Sequence, residues 1–114
     1  MIINNTKKKE LSEQQYQIKL ADIINGKIEY KLDNGLSVDI ITKSHAYEVD
    51  FACKWYEAIG QALAYSTFTG KKPGIFLLCF TKHDFNKAKM LKYVNKIKKL
   101  NITIKIINCN EFKI

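Results

Sequence analysis

With 114 residues, the chain has room for one compact domain and one core, too little for a two-domain enzyme or a doubly wound dinucleotide fold with a separate substrate domain. A composition of 46% hydrophobic and 26% charged residues, with one proline and five glycines, excludes collagen-like and low-complexity chains. The formal charge is +8 and every basic residue is a lysine, a surplus that favours phosphate-rich partners, nucleic acid before membrane.

Residues 1–9 read as a flexible basic arm, and residues 10–114 as a single domain. Ser12 followed by Gln15 is a capping-box start. Tyr16, Leu20, Ile23 and Ile24 then recur at helical spacing until Asn25-Gly26 stops the helix. Ile28, Tyr30 and Leu32 alternate with charged residues, which predicts a half-buried strand. Asp33-Asn34-Gly35 signals a hairpin turn, and Leu36, Val38 and Ile40 alternate in the return strand. After the polar Thr42–Ser44 connection, a third strand is expected over Ala46–Ala52.

Lys54–Phe68 fits a helix with Trp55, Ile59, Ala62 and Leu63 inward, ended by Gly70 and Pro73. Gly74–Phe80 is apolar on both faces and predicts a central, covered strand. Lys82–Leu100 predicts a long helix with Phe85, Ala88, Met90, Leu91, Val94 and Ile97 inward, and Asn101–Asn108 a last strand. The expected fold is α/β, one domain in the order α-β-β-β-α-β-α-β, a mixed central sheet flanked by helices.

Three cysteines cannot pair completely within one chain, and their spacing matches no zinc motif, so Cys53 and Cys79 are expected as buried free thiols in a reducing, cytoplasmic compartment. Met1–Lys9 lacks the apolar run of a signal peptide, and the longest apolar run, Ile75–Phe80, is too short to span a bilayer. No membrane partner is expected.

Charge is divided unevenly. Residues 71–114 hold 11 lysines and two acids, whereas residues 1–70 hold eight lysines and nine acids. Some of these acids occupy sheet positions that normally take apolar residues. Asp39 sits between Val38 and Ile40, and Glu48 and Asp50 share one face of the next strand, because side chains alternate at period two. If the Thr42–Ser44 connection closes an antiparallel pair, Asp39 lies nearly opposite Glu48. Like charges across a sheet repel, so a divalent cation with oxygen ligands is the economical answer. Glu13 heads the helical stripe of Tyr16 and Leu20, which turns it towards the sheet. Lys54, Glu57, Gln61 and Tyr65 form a polar stripe beside the apolar one on the second helix. Each residue alone also fits a solvated surface position, and Glu13 alone fits a helix N-terminal acid.

In this order and spacing the residues resemble the PD-(D/E)XK, restriction-endonuclease-like nuclease superfamily, as a small single-domain bacterial member. Asp39 in Ser37-Val38-Asp39-Ile40 matches the motif aspartate, and Glu48 in Tyr47-Glu48-Val49-Asp50 matches the acid of the E-x-K motif. Gln61 and Tyr65 resemble the Q-x-x-x-Y motif of RecB-type exonuclease domains, and Glu13 is placed like a first-helix glutamate. The resemblance implies a nuclease that hydrolyses phosphodiester bonds in DNA, RNA not being excluded. Mg²⁺ or Mn²⁺ would be held by Asp39, Glu48 and the Val49 carbonyl, with Asp50 as a further ligand. Asp50 stands where the superfamily has its lysine, and Lys54 is the substitute that would act on the attacking water. Glu13 would serve a second metal or its water shell, and Gln61 would orient Lys54 or a phosphate. Tyr65, Lys71, Lys72 and Lys82 are the expected nucleic-acid contacts. The alternative is an inactive nuclease-fold module for DNA binding or protein interaction, and either needs a homodimer or partner subunit for specificity.

Overall fold

The structure, a computed structural model, describes residues 11–112. The expected arm at residues 1–9 lies outside them. The elements are α1 (Glu13–Ile24), β1 (Lys27–Lys31), β2 (Ser37–Ile41), β3 (His45–Phe51), a 3₁₀ turn (Ala52–Lys54), α2 (Trp55–Thr69), β4 (Lys72–Cys79), α3 (Lys82–Lys98) and β5 (Thr103–Asn108). The predicted α/β order is the observed one. The five strands lie in sequence order across one mixed sheet: β1–β2 and β2–β3 are antiparallel, β3–β4 and β4–β5 parallel.

Local chemistry sets the boundaries. Ser12 caps α1 by accepting from the Gln15 amide, and Gln15 returns a bond to the Ser12 amide at 2.7 Å. Asn25, at φ 58°, ends the helix in the left-handed conformation that asparagine tolerates. Thr81 and Asp84 build a second capping box on α3. Gly70 ends α2 at φ 74°. Pro73 does not end that helix but lies inside β4, paired with Ala46, one residue after the strand begins.

β4 is the centre of the molecule. Ile75, Phe76, Leu77, Leu78 and Cys79 are all buried, as its unbroken apolar run predicts. Its odd-numbered residues join Trp55, Ala58 and Ala62 of α2 and Ala88 and Leu91 of α3 on one sheet face. Its even-numbered residues join Tyr16, Leu20 and Ala21 of α1 on the other.

Three expectations about burial are corrected. Every residue of β1 is exposed, because an edge strand has one neighbour and the contacts it makes with α1, such as Gln14 on Glu29, leave its side chains uncovered. Ile23, Met90 and Ile97, expected inward, are 60%, 52% and 54% exposed. A helix turns about 100° per residue, which puts Met90 and Ile97 on the side of α3 opposite Ala88. Cys53 is exposed in the 3₁₀ turn, whereas Cys79 and Cys109 are buried free thiols. Among the described residues, no helix is long and apolar enough to cross a membrane.

Candidate functional site

The pairing of β2 with β3 covers only Ile40↔Tyr47 and Ile41↔Ala46. Continuing that register places Asp39 opposite Glu48, as the sequence suggests, but there the ladder stops. Instead of a backbone carbonyl, the Asp39 Oδ2 atom accepts the Val49 amide at 2.8 Å. The ladder lapses on the other side too, since Ile28↔Ile40 and Tyr30↔Val38 are paired while Glu29 and Asp39 between them are not. Asp39 thus sits at a fork where β2 leaves β3.

Four carboxylates meet in this fork. Alternation along β3 puts Glu48 and Asp50 on one face, and both are almost wholly buried, at 3% and 4% exposure. Glu48 lies within hydrogen-bonding reach of both Asp39 and Asp50, and Glu13 at the first turn of α1 lies within reach of Asp50. Burial first, then the Asp39 charge, pushes the Glu48 carboxyl up to about 11. Burial, then the charges of Asp50 and Asp39, raises Glu13 to about 7. Burial also raises Asp39 and Asp50, although both are partly relieved by the hydrogen bonds they accept. Burial therefore favours the protonated form of Glu48 through neutral pH and of Glu13 below about pH 7, with the aspartates beside them as acceptors.

α2 closes the site from above. In the amide orientation that satisfies both of its polar atoms, Gln61 donates N–H to both Glu48 oxygens, to Oε1 at 2.9 Å. The role expected for Gln61 was orienting Lys54 or a phosphate; its partner here is the glutamate. Tyr65 is 6% exposed and its hydroxyl hydrogen-bonds Glu48, so it props the cluster and is removed from the nucleic-acid-contacting surface. Lys54, exposed at the end of the 3₁₀ turn, stands at the rim, where its charge favours ionised Asp50 and Glu13. The Val49 carbonyl points to the same side of β3 as its amide, into the fork.

Glu29 belongs to the site and is absent from the sequence-derived set. It sits across the hairpin from Asp39, adds to the charge that raises it, and accepts a hydrogen bond from Gln14 Nε2 at 2.7 Å. Its φ of 48° is a left-handed conformation that costs a glutamate ~1 kcal/mol or more. Counting five residues either way from Asn34, the middle of the turn, would have found it.

The expected phosphate-contacting lysines do not form one patch. Lys71 and Lys72 lie at the start of β4, and Lys71 Nζ donates to the Lys43 carbonyl at 2.8 Å. Glu48 pairs with Ile75, three residues further along, ~10 Å away at the rise of a strand. Lys82 begins α3 beyond the other end of β4.

Among the described residues, no three Asp, Glu, His or Cys side chains are arranged as a ready set of metal ligands; the carboxylates are turned upon one another. The donor chemistry nonetheless suits a hard cation, because carboxylate and carbonyl oxygens are the ligands that Mg²⁺ and Mn²⁺ take.

No family model matches the chain, and no solved structure matches it. It is similar to a protein of Acanthamoeba polyphaga mimivirus whose name describes it as KilA-N domain-containing, with 34% identity over 89 residues. That similarity covers 75% of this chain but 36% of the viral protein, so the chain spans about a third of the relative's length.

Proposed function

We propose that the chain is a divalent-cation-dependent nuclease of the PD-(D/E)XK type acting on DNA, with Asp39, Glu48, Asp50 and the Val49 carbonyl as cation ligands. One observation carries the reading: carboxylates from α1, β2 and β3 share hydrogen bonds in a buried fork, with a lysine reaching them only at the rim. Burying this much acid is costly unless it serves a charge that arrives. A bound cation would lower the pKa of a coordinated water and neutralise charge on the scissile phosphate. Tyr65 and Gln61 hold the Glu48 carboxyl in place. Glu13, pushed up to about 7, can take or give a proton near neutral pH. Lys54 supplies positive charge where the phosphate would lie, replacing the lysine absent at Asp50. The +8 charge supports a nucleic-acid partner, and the similarity to a viral protein named for a KilA-N domain gives DNA loose further support.

Asp50 favours a second reading, a non-catalytic module that binds DNA or a protein, because an acid stands where cleavage needs a cation. Incubation of plasmid and single-stranded DNA with Mg²⁺ or Mn²⁺, against an EDTA control, separates the two. Metal-dependent cleavage lost in Asp39→Asn and Glu48→Gln supports the nuclease. DNA binding with no cleavage under either metal supports the module.

A further inference from the structure

α3 has two apolar faces, and among the described residues only one is buried. Ala88 and Leu91 are buried against the sheet, with Phe85 and Val94 packed beside them. On the opposite side Met90, Tyr93 and Ile97 are 52%, 65% and 54% exposed. Their spacing, with Asn86 ahead of them, is four, three and four residues, the repeat of a coiled-coil seam. In that register His83, Met90 and Ile97 occupy one core position and Asn86 and Tyr93 the other. Lys82, Lys89 and Lys96 fall seven residues apart along one flank of the seam, and Lys87 lies on the other. The helix's single acid, Asp84, is consumed as a cap, accepting from the Phe80 and Thr81 amides at 2.9 and 3.3 Å. The outer face is an apolar stripe with a row of three lysines on one flank and Lys87 on the other.

We propose that this outer face of α3 docks an acidic amphipathic helix of a partner protein, which lays its own apolar seam on Met90, Tyr93 and Ile97 and its carboxylates on the lysine row. Charge decides the occupant. A second copy of the chain would set one lysine row against another, which flanking positions of a coiled coil penalise. An anionic membrane surface wants a wide apolar face, whereas this stripe is one seam wide, because the rest of the helix circumference is either lysine or core. Bare phosphates would use the lysines and leave the three apolar side chains in water. The inference is independent of the carboxylate fork.

The test uses the full chain and a labelled synthetic peptide about three heptads long, with leucine at its core positions and glutamate at its flanks. Fluorescence anisotropy should show saturable binding that weakens with added salt. Tyr93→Glu, and separately Lys82, Lys89 and Lys96→Glu together, should each weaken it about tenfold or more. The substituted residues are exposed, so the variants should melt like the parent by circular dichroism. Should a variant unfold, Met90→Ser with Ile97→Ser provides the milder comparison and should still lose binding. The proposal is overturned if the peptide fails to bind, or if a control peptide with serine at the core positions binds equally. It is also overturned if vesicles of phosphatidylserine and phosphatidylcholine bind the chain while the peptide does not, or if sedimentation shows that the seam is already occupied by a second copy.

Discussion

Glu48 and Glu13 each carry a proton in the folded chain that they would lose in the unfolded chain above their ordinary range near 4.5. The folded state thus binds more protons from about pH 5, up to about pH 7 through Glu13 and on towards about pH 11 through Glu48, and stability falls as pH rises through that window. Thermal melts without added metal should show Tm decreasing from pH 5 to pH 8. Glu48→Gln keeps the shape and removes the titration, so its melts should be flatter with pH and higher at pH 8. A parent Tm that rises over this range would contradict the protonated cluster. In the proposed nuclease, Lys54 acts by charge from the rim. Lys54→Ala should keep the fold and any metal-induced rise in Tm while lowering cleavage about 10²-fold. Asp50→Lys, which gives the E-x-K spacing that the proposed reading expects, should recover part of that loss. Cleavage at the parent rate would remove Lys54 from the reaction.

Element by element, the sequence was legible where one local rule acted alone. The Ser12–Gln15 capping box marks the start of α1, and the unbroken apolar run at Ile75–Cys79 identifies the central strand. The carboxylate fork was half legible. Period-two alternation put Glu48 beside Asp50, but the lapse of the ladder around Asp39 depends on how three strands twist together, which no spacing reports. The alternation in β1 is genuine, yet α1 touches the strand without burying it. Met90 and Ile97 were misjudged because helical periodicity cannot say which of two apolar stripes meets the core. Register also imposes a steric demand. Gly74 lies opposite Tyr47, and a Cβ there would run into the Tyr47 ring. Gly74→Ala should therefore cost ~1–3 kcal/mol in urea unfolding. An alanine variant as stable as the parent would show that the ring moves freely.

Over the whole molecule, charge is sorted by direction. Acid gathers in the fork between β2 and β3, while α3 carries six lysines and one acid. A cation that binds the folded chain stabilises it by mass action, ~2.7 kcal/mol at a hundred times its Kd. Mg²⁺ or Mn²⁺ should thus raise Tm in the parent and not in Asp39→Ala. A full metal shift in Asp39→Ala would place the cation elsewhere. Duplex DNA affinity should fall with salt at a log–log slope of about −0.9 per phosphate contacted. A flat dependence would leave the lysine surplus to the partner surface on α3.

Asp39 holds the Val49 amide with a side-chain oxygen where a sheet would use a backbone carbonyl. That single N–H is therefore a built-in reporter of the carboxylates. Its exchange with deuterium depends on Asp39 staying in place, whereas its neighbours along β3 are guarded by β4. Asp39→Ala should release the Val49 proton far sooner than those of the flanking residues. In a nitrogen–proton correlation spectrum, the same peak should be among the first to move when Mg²⁺ is titrated in, giving a residue-resolved signal of occupancy in which no catalytic turnover is needed.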